Sequence, residues 1–191
     1  DCYEEEREDS DLIHEYSYKP NPIFYGEGNR YFGIELEIDE AGKDDDYAEE
    51  LLDIANIHED LLYIKTVGSL DDGMELVSHP CTVSWHLTHL WDDVLTRLRT
   101  LRYHARNGSG IHVHVSRKYW ENNGGTCHIA NLITFCDMNR KALRLYANRE
   151  EETFNHWTQS YMSPSATKKA ISETLRSLGD TEDAMQNMYE R

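Results

Sequence analysis

None of the 191 residues falls in an apolar run long enough to span a bilayer, which argues against a transmembrane helix, and no membrane partner is expected. The chain does not open on a charged segment followed by an apolar one, so no secretion signal is read there. It starts at Asp1 rather than Met, which is read as a processed or excised piece. Cysteine is sparse: Cys2, Cys81, Cys127 and Cys136 show no CxxC spacing. That density argues against a disulfide framework and points to a reducing, intracellular setting. A further expectation makes Cys2 the last ligand of a zinc ribbon lying upstream. Basic residues are few, 19 Lys and Arg against 36 Asp and Glu, for a formal charge of −17. Such a surface repels phosphate backbones, so nucleic acid is a poor partner. P-loop, GxGxxG, Ser-His-Asp and H-E-x-x-H patterns are all absent, and nucleophilic catalysis has no support in the sequence.

The length suffices for one domain with a core. Residues 1–22 read as an acidic, irregular lead-in ending at Lys19-Pro20-Asn21-Pro22, and 23–191 as an α+β domain. Between 31 and 39, Phe32, Ile34, Leu36 and Ile38 alternate with Gly33, Glu35, Glu37 and Asp39, the period of a strand with one face in the core. A helix is predicted over 44–55, with Ala48, Leu51, Leu52 and Ala55 inward. Strands follow at 61–65 and 74–78, around a turn through Asp72-Gly73. The spacing of Leu87, Leu90, Trp91, Val94, Leu95, Leu98 and Leu101 predicts one helix over 84–103, capped by Ser84. His86 and His89 then lie on its surface. A strand over 111–116, a helix near 128–148 and helical structure over 165–189 complete the order. The hairpin and the alternation predict a mostly antiparallel sheet with helices packed on one face.

Two short motifs carry chemistry. Glu35-Leu36-Glu37 places two carboxylates on one face of its strand, and His112-Val113-His114 places two imidazoles on one face of another. Glu75 shares its strand face with Val77 and His79. Alone, each motif is also what an ordinary solvated or half-buried strand face looks like. Their context says more. Two like charges on a central strand repel unless something neutralises them. A glycine-rich turn, Asn107-Gly108-Ser109-Gly110, lets a ligand approach the backbone before the histidine strand. If the strands share a sheet, the paired carboxylates with an imidazole among them suit Mg²⁺ or Mn²⁺, and Glu75 is either a surface residue or a third ligand. A cation would also let an acidic chain hold an anionic nucleotide. A metal-dependent hydrolase built on His112, His114 and Glu75 is a further reading, against which the missing zinc spacing weighs.

Three segments in order resemble the amidoligase family: Gly33-Ile34-Glu35-Leu36-Glu37, then Gly68-Ser69-Leu70 with Gly73-Met74-Glu75-Leu76-Val77-Ser78-His79-Pro80, then Gly110-Ile111-His112-Val113-His114-Val115. These are carboxylate–amine ligases, often phage-encoded, with the glutamine synthetase fold. The resemblance covers residues 16–116 well and the later helices weakly. It implies ATP-dependent amide formation through an acyl phosphate, between a small-molecule or peptide carboxylate and an amine. It implies the cytoplasm, including that of a phage-infected host. Glu35, Glu37 and Glu75 would be catalytic. The same three with His112 would hold Mg²⁺ or Mn²⁺. Lys65, Ser69, His114, Ser116 and Arg117 would bind ATP. Two departures stand out. The family reads Asp-Gly-Ser where this chain has Val67-Gly68-Ser69. Its later Arg-rich strand pair is also missing after Ala166, so the C-terminal part of the domain is expected to be absent. The alternative is a degenerate, non-catalytic member that binds a protein partner.

Overall fold

In this computed structural model, residues 12–70, 73–105, 109–116, 118–119 and 126–157 are described. The chain divides into two units, Asp1–Ser116 and Arg117–Arg191. The first unit is α+β. Its strands are β1 (Ile13–His14), β2 (Phe32–Ile38), β3 (Leu62–Thr66), β4 (Met74–Ser78) and β5 (Ile111–Val115). They form one mixed, open sheet in the order β1-β3-β4-β2-β5. Every pairing is antiparallel except β1 with β3, which is parallel.

The alternation seen in the sequence sorts the two faces. Ile34, Leu36 and Ile38, Leu62 and Ile64, and Met74 and Leu76 lie on one face. They pack with Ala48, Leu51, Trp91, Val94 and Leu98 in the core. Those partners come from α1 (Asp45–Ala55) and α3 (Trp91–Thr100). Asp44 caps α1 by accepting the Tyr47 N–H at 3.0 Å. At its other end the Asn56 side chain accepts the Leu61 and Leu62 N–H groups and donates to the Leu62 carbonyl, each at 2.8 Å. One amide thereby ties the end of α1 to the start of β3. The Arg97 guanidinium pairs with the Glu50 carboxylate and joins α3 to α1.

The expected helix over 84–103 is two helices, α2 (Val83–His89) and α3, broken at Leu90. The cap is Thr82, not Ser84. Leu87, expected inward, is 64% exposed, because the break turns the apolar stripe. A buried polar relay holds the break. Trp91 Nε1–H donates to His86 Nδ1 at 3.0 Å, and His86 Nε2 meets the Phe32 carbonyl at 2.7 Å. His86 is therefore a buried structural residue, not a surface one. His89 is exposed, as expected, and stacks on Trp85.

The lead-in also differs from its reading: Ile13–His14 pairs with Ile64 and Lys65. A two-residue strand has no period to detect. Gly73 closes the β3–β4 connection where a Cβ would lie 2.3 Å from the Ile38 carbonyl oxygen. Asp71, Asp72 and the expected helices over 165–189 lie outside the described residues.

The second unit holds α4 (Thr126–Met138), α5 (Arg140–Tyr146) and α6 (Glu151–Trp157). Asn139 interrupts the helix expected over 128–148, its side chain donating to the Phe135 carbonyl at 2.8 Å. Arg140 lies over the Phe154 ring at 4.8 Å and donates to Asn155 at 3.0 Å, linking α5 to α6. No helix among the described residues is long and apolar enough to cross a membrane.

Candidate functional site

The register across four strands builds the polar face. Lys65 stands opposite Glu75, Glu75 opposite Glu37, and Tyr63 and Glu35 each opposite Val77. On the other side of β2, Glu35 pairs with His112 and Gly33 with His114. Directly opposed residues share a face. Glu35, Glu37, Glu75 and His112 thus share one, opposite the face that packs on α1 and α3, together with Lys65, Tyr63 and His114.

Glu35 is held between two imidazoles. His112 Nδ1 lies 3.3 Å from one of its oxygens and His114 Nε2 lies 3.3 Å from the other. Burial pushes the Glu35 carboxyl up, but His114, the His112 hydrogen bond and Lys65 outweigh it, and Glu35 sits below the ordinary carboxylate value. Glu75 is the opposite case. It is 3% exposed, and burial lifts its carboxyl above the ordinary value despite the Lys65 ammonium 3.0 Å away, with Glu35 and Glu37 adding to the rise. Glu37 accepts the Gly110 N–H at 2.6 Å and the Ser69 hydroxyl at 3.1 Å. Gly110 thus meets the acidic strand through its backbone N–H, which the lack of a Cβ permits.

One ligand atom from each of Glu35, Glu75 and His112 lies within 4.8 Å of the others. Two carboxylates and an imidazole are a donor set that Mn²⁺ and Mg²⁺ accept. The donor chemistry fits, with one condition. Lys65 already neutralises Glu75, so a cation there must share or displace that ammonium. Glu37 has its oxygens turned to Ser69 and Gly110 and stands beside this trio.

The expected nucleotide residues are engaged within the protein. Lys65 pairs with Glu75 and lies 5.5 Å from the Tyr16 ring centroid. Ser69 serves Glu37, His114 contacts Glu35, and the Ser116 hydroxyl accepts the Tyr31 N–H at 3.2 Å. Arg117 lies outside the described residues. Val67 is buried, so an apolar side chain suits its position.

A cleft of about 160 Å³ opens beside Glu35, lined also by Pro20, Pro22, Tyr63, His79 and His114. Ligand pockets for larger molecules run to roughly 300–1,000 Å³, so the residues lining this cleft do not by themselves enclose a nucleotide. Tyr63 was missed by the sequence reasoning, although its period-two phase with Lys65 places it on this face. Burial, then Glu35 and Glu75, push its phenol up to about 12, so it keeps its proton.

No protein-family model, no curated protein and no solved structure matches the chain.

Proposed function

We propose that this chain is a ligase that joins a carboxylate to an amine, driven by ATP, with Mg²⁺ or Mn²⁺ held on the polar face of the sheet. The observation that carries the reading is the convergence of Glu35, Glu75 and His112 from three strands. A glutamine synthetase-like fold, a small-molecule or peptide carboxylate, an amine and a cytoplasmic setting belong to the same reading. Glu35, Glu75 and His112 hold the cation, and Glu37, fixed by Ser69 and Gly110, lines its flank. A cation bound there would neutralise phosphate oxygens, the main requirement in phosphoryl transfer. Lys65 is the resident counter-charge that keeps Glu75 ionisable beside two other acids. The test is release of ADP and phosphate by the full chain with Mg²⁺, ATP and a panel of carboxylates and amines. Release that needs both organic partners and disappears in Glu35→Gln supports the reading.

A second reading has its own observation. The Lys65–Glu75 pair satisfies much of the cluster without any cation, and Val67 stands where the resembling family has a carboxylate. Both suit a non-catalytic protein that binds a partner through the retained fold. The melting temperature separates the two. A working site raises it with Mg²⁺ or Mn²⁺, and Glu35→Gln combined with Glu37→Gln removes the rise. A wild-type curve indifferent to millimolar-range Mg²⁺ with ATP favours the non-catalytic reading.

A further inference from the structure

The cleft beside Glu35 contains a polar group that the site described above does not use. His79 is 4% exposed and packs against the Tyr25 and Tyr63 rings, with centroids at 6.5 and 5.7 Å. Its Nδ1 accepts the Ile23 N–H at 3.3 Å. A neutral imidazole that accepts at Nδ1 carries its proton on Nε2. Burial holds this ring below the ordinary histidine value, which keeps it neutral. Its Nε2–H has no hydrogen-bond partner among the described residues, and the ring lines the cleft. That N–H faces the cleft, so it can donate to an acceptor presented by an occupant.

The rest of the lining specifies the occupant. Glu35 offers an anionic acceptor with lone pairs to spare beyond the two histidine contacts. The Tyr63 hydroxyl stays protonated. Pro20, Pro22 and Val77 supply apolar walls. An ammonium would satisfy Glu35 but set its own N–H groups against the His79 N–H. A carboxylate would satisfy His79 but meet the charge of Glu35. A primary carboxamide does both, its oxygen accepting from His79 and its NH₂ donating to Glu35. The cleft, about 160 Å³, is smaller than the pockets of larger ligands, which suits a carboxamide with one or two methylenes.

We propose that this cleft is a binding site for a small primary carboxamide, recognised by the His79 Nε2–H and the Glu35 carboxylate. The inference goes beyond the ligase reading and does not depend on it, because its test contains neither nucleotide nor divalent cation. The experiment is a titration of the full chain, ¹⁵N-labelled at histidine and kept in a chelator, with propionamide, propylammonium and sodium propionate separately. Propionamide should move the His79 ring resonances saturably and leave those of His86, equally buried but fully bonded, in place. The other two compounds should not move His79. Propylammonium or propionate moving His79 as strongly as propionamide overturns the proposal. So does an unmoved His79 at about 100 mM propionamide, well above the millimolar-range constant expected of a five-heavy-atom ligand. His79→Asn should lose the saturable response of the remaining cleft signals. The wild-type comparison of the three compounds stands whether or not that variant folds.

Discussion

Replacing Lys65 by methionine should destabilise the protein by about 3–5 kcal/mol at neutral pH, because it leaves Glu75 charged, buried and alone. The two groups lie 3.0 Å apart, with side chains 8% and 5% exposed. With an effective dielectric constant near 20, their attraction is roughly 5–6 kcal/mol. Desolvation of both charges offsets most of that, so the pair adds little net stability while the loss of one partner is severe. Glu75→Gln added to Lys65→Met should recover much of the loss, since no buried charge then remains. The pH dependence has a definite sign. The folded Glu75 carboxyl lies above its ordinary 4.5, so its protonated form favours the fold. That contribution is full below 4.5 and disappears as pH rises through the raised folded value. Removing Lys65 raises the carboxyl further. The gap between variant and wild type should therefore be widest at neutral pH and narrow on acidification, as Glu75 takes a proton. Urea denaturation of wild type, single and double variants across pH measures all of this. A loss in Lys65→Met below about 1 kcal/mol at neutral pH, the range of an exposed pair, would refute the argument. So would a loss independent of pH.

Other perturbations test the scaffold and the site's surroundings. His86→Phe orphans the Trp91 indole N–H, while the Phe32 carbonyl keeps the Cys81 N–H at 3.0 Å, and should cost about 1–3 kcal/mol. Burial holds the folded His86 below its ordinary 6.5, so its contribution is present above 6.5 and lost as pH falls through the folded value. The variant's stability should accordingly fall less steeply than wild type's between neutral pH and about pH 5, by denaturant midpoints. Gly73→Ala drives a methyl into the Ile38 carbonyl and should lose about 1–3 kcal/mol, read by calorimetry. Val67→Asp places a carboxylate at a buried position and should cost about 3–5 kcal/mol. A Val67→Asp protein as stable as wild type, with new ATP turnover, would show instead that the position was ready for an acid.

The strands were legible because their alternation is a local property that the sheet then obeys. Phe32–Ile38 and Met74–Ser78 need only the period of two to sort Glu35, Glu37 and Glu75 from the core residues. Their convergence with His112 required the order of the strands, which no single segment carries. Lys65 illustrates the remaining difficulty. Its place on the polar face follows from the phase of β3, but its pairing with Glu75 is a register fact. The break at Leu90 was hidden for another reason. The leucine spacing continues through it, and the break is held by a buried Trp91–His86–Phe32 relay in which His86 reaches a carbonyl 54 positions away. Asn56 is similar, since nothing in an asparagine after a helix announces three bonds to the next strand.

The position of β5 has a consequence for how the site moves. Within the sheet order it is terminal, with β2 as its neighbour, and Ile111 and Val113 are exposed. Edge elements with little burial open locally at lower free energy than central ones. The two halves of the cluster are therefore held differently: Glu35, Glu37 and Glu75 ride on β2 and β4, each paired on both sides, and His112 and His114 ride on a terminal strand. Amide exchange should run fastest along β5 and slowest along β4. A ligand that needs a histidine would then capture a strand that breathes, whereas one that needs only the carboxylates would meet a site already set.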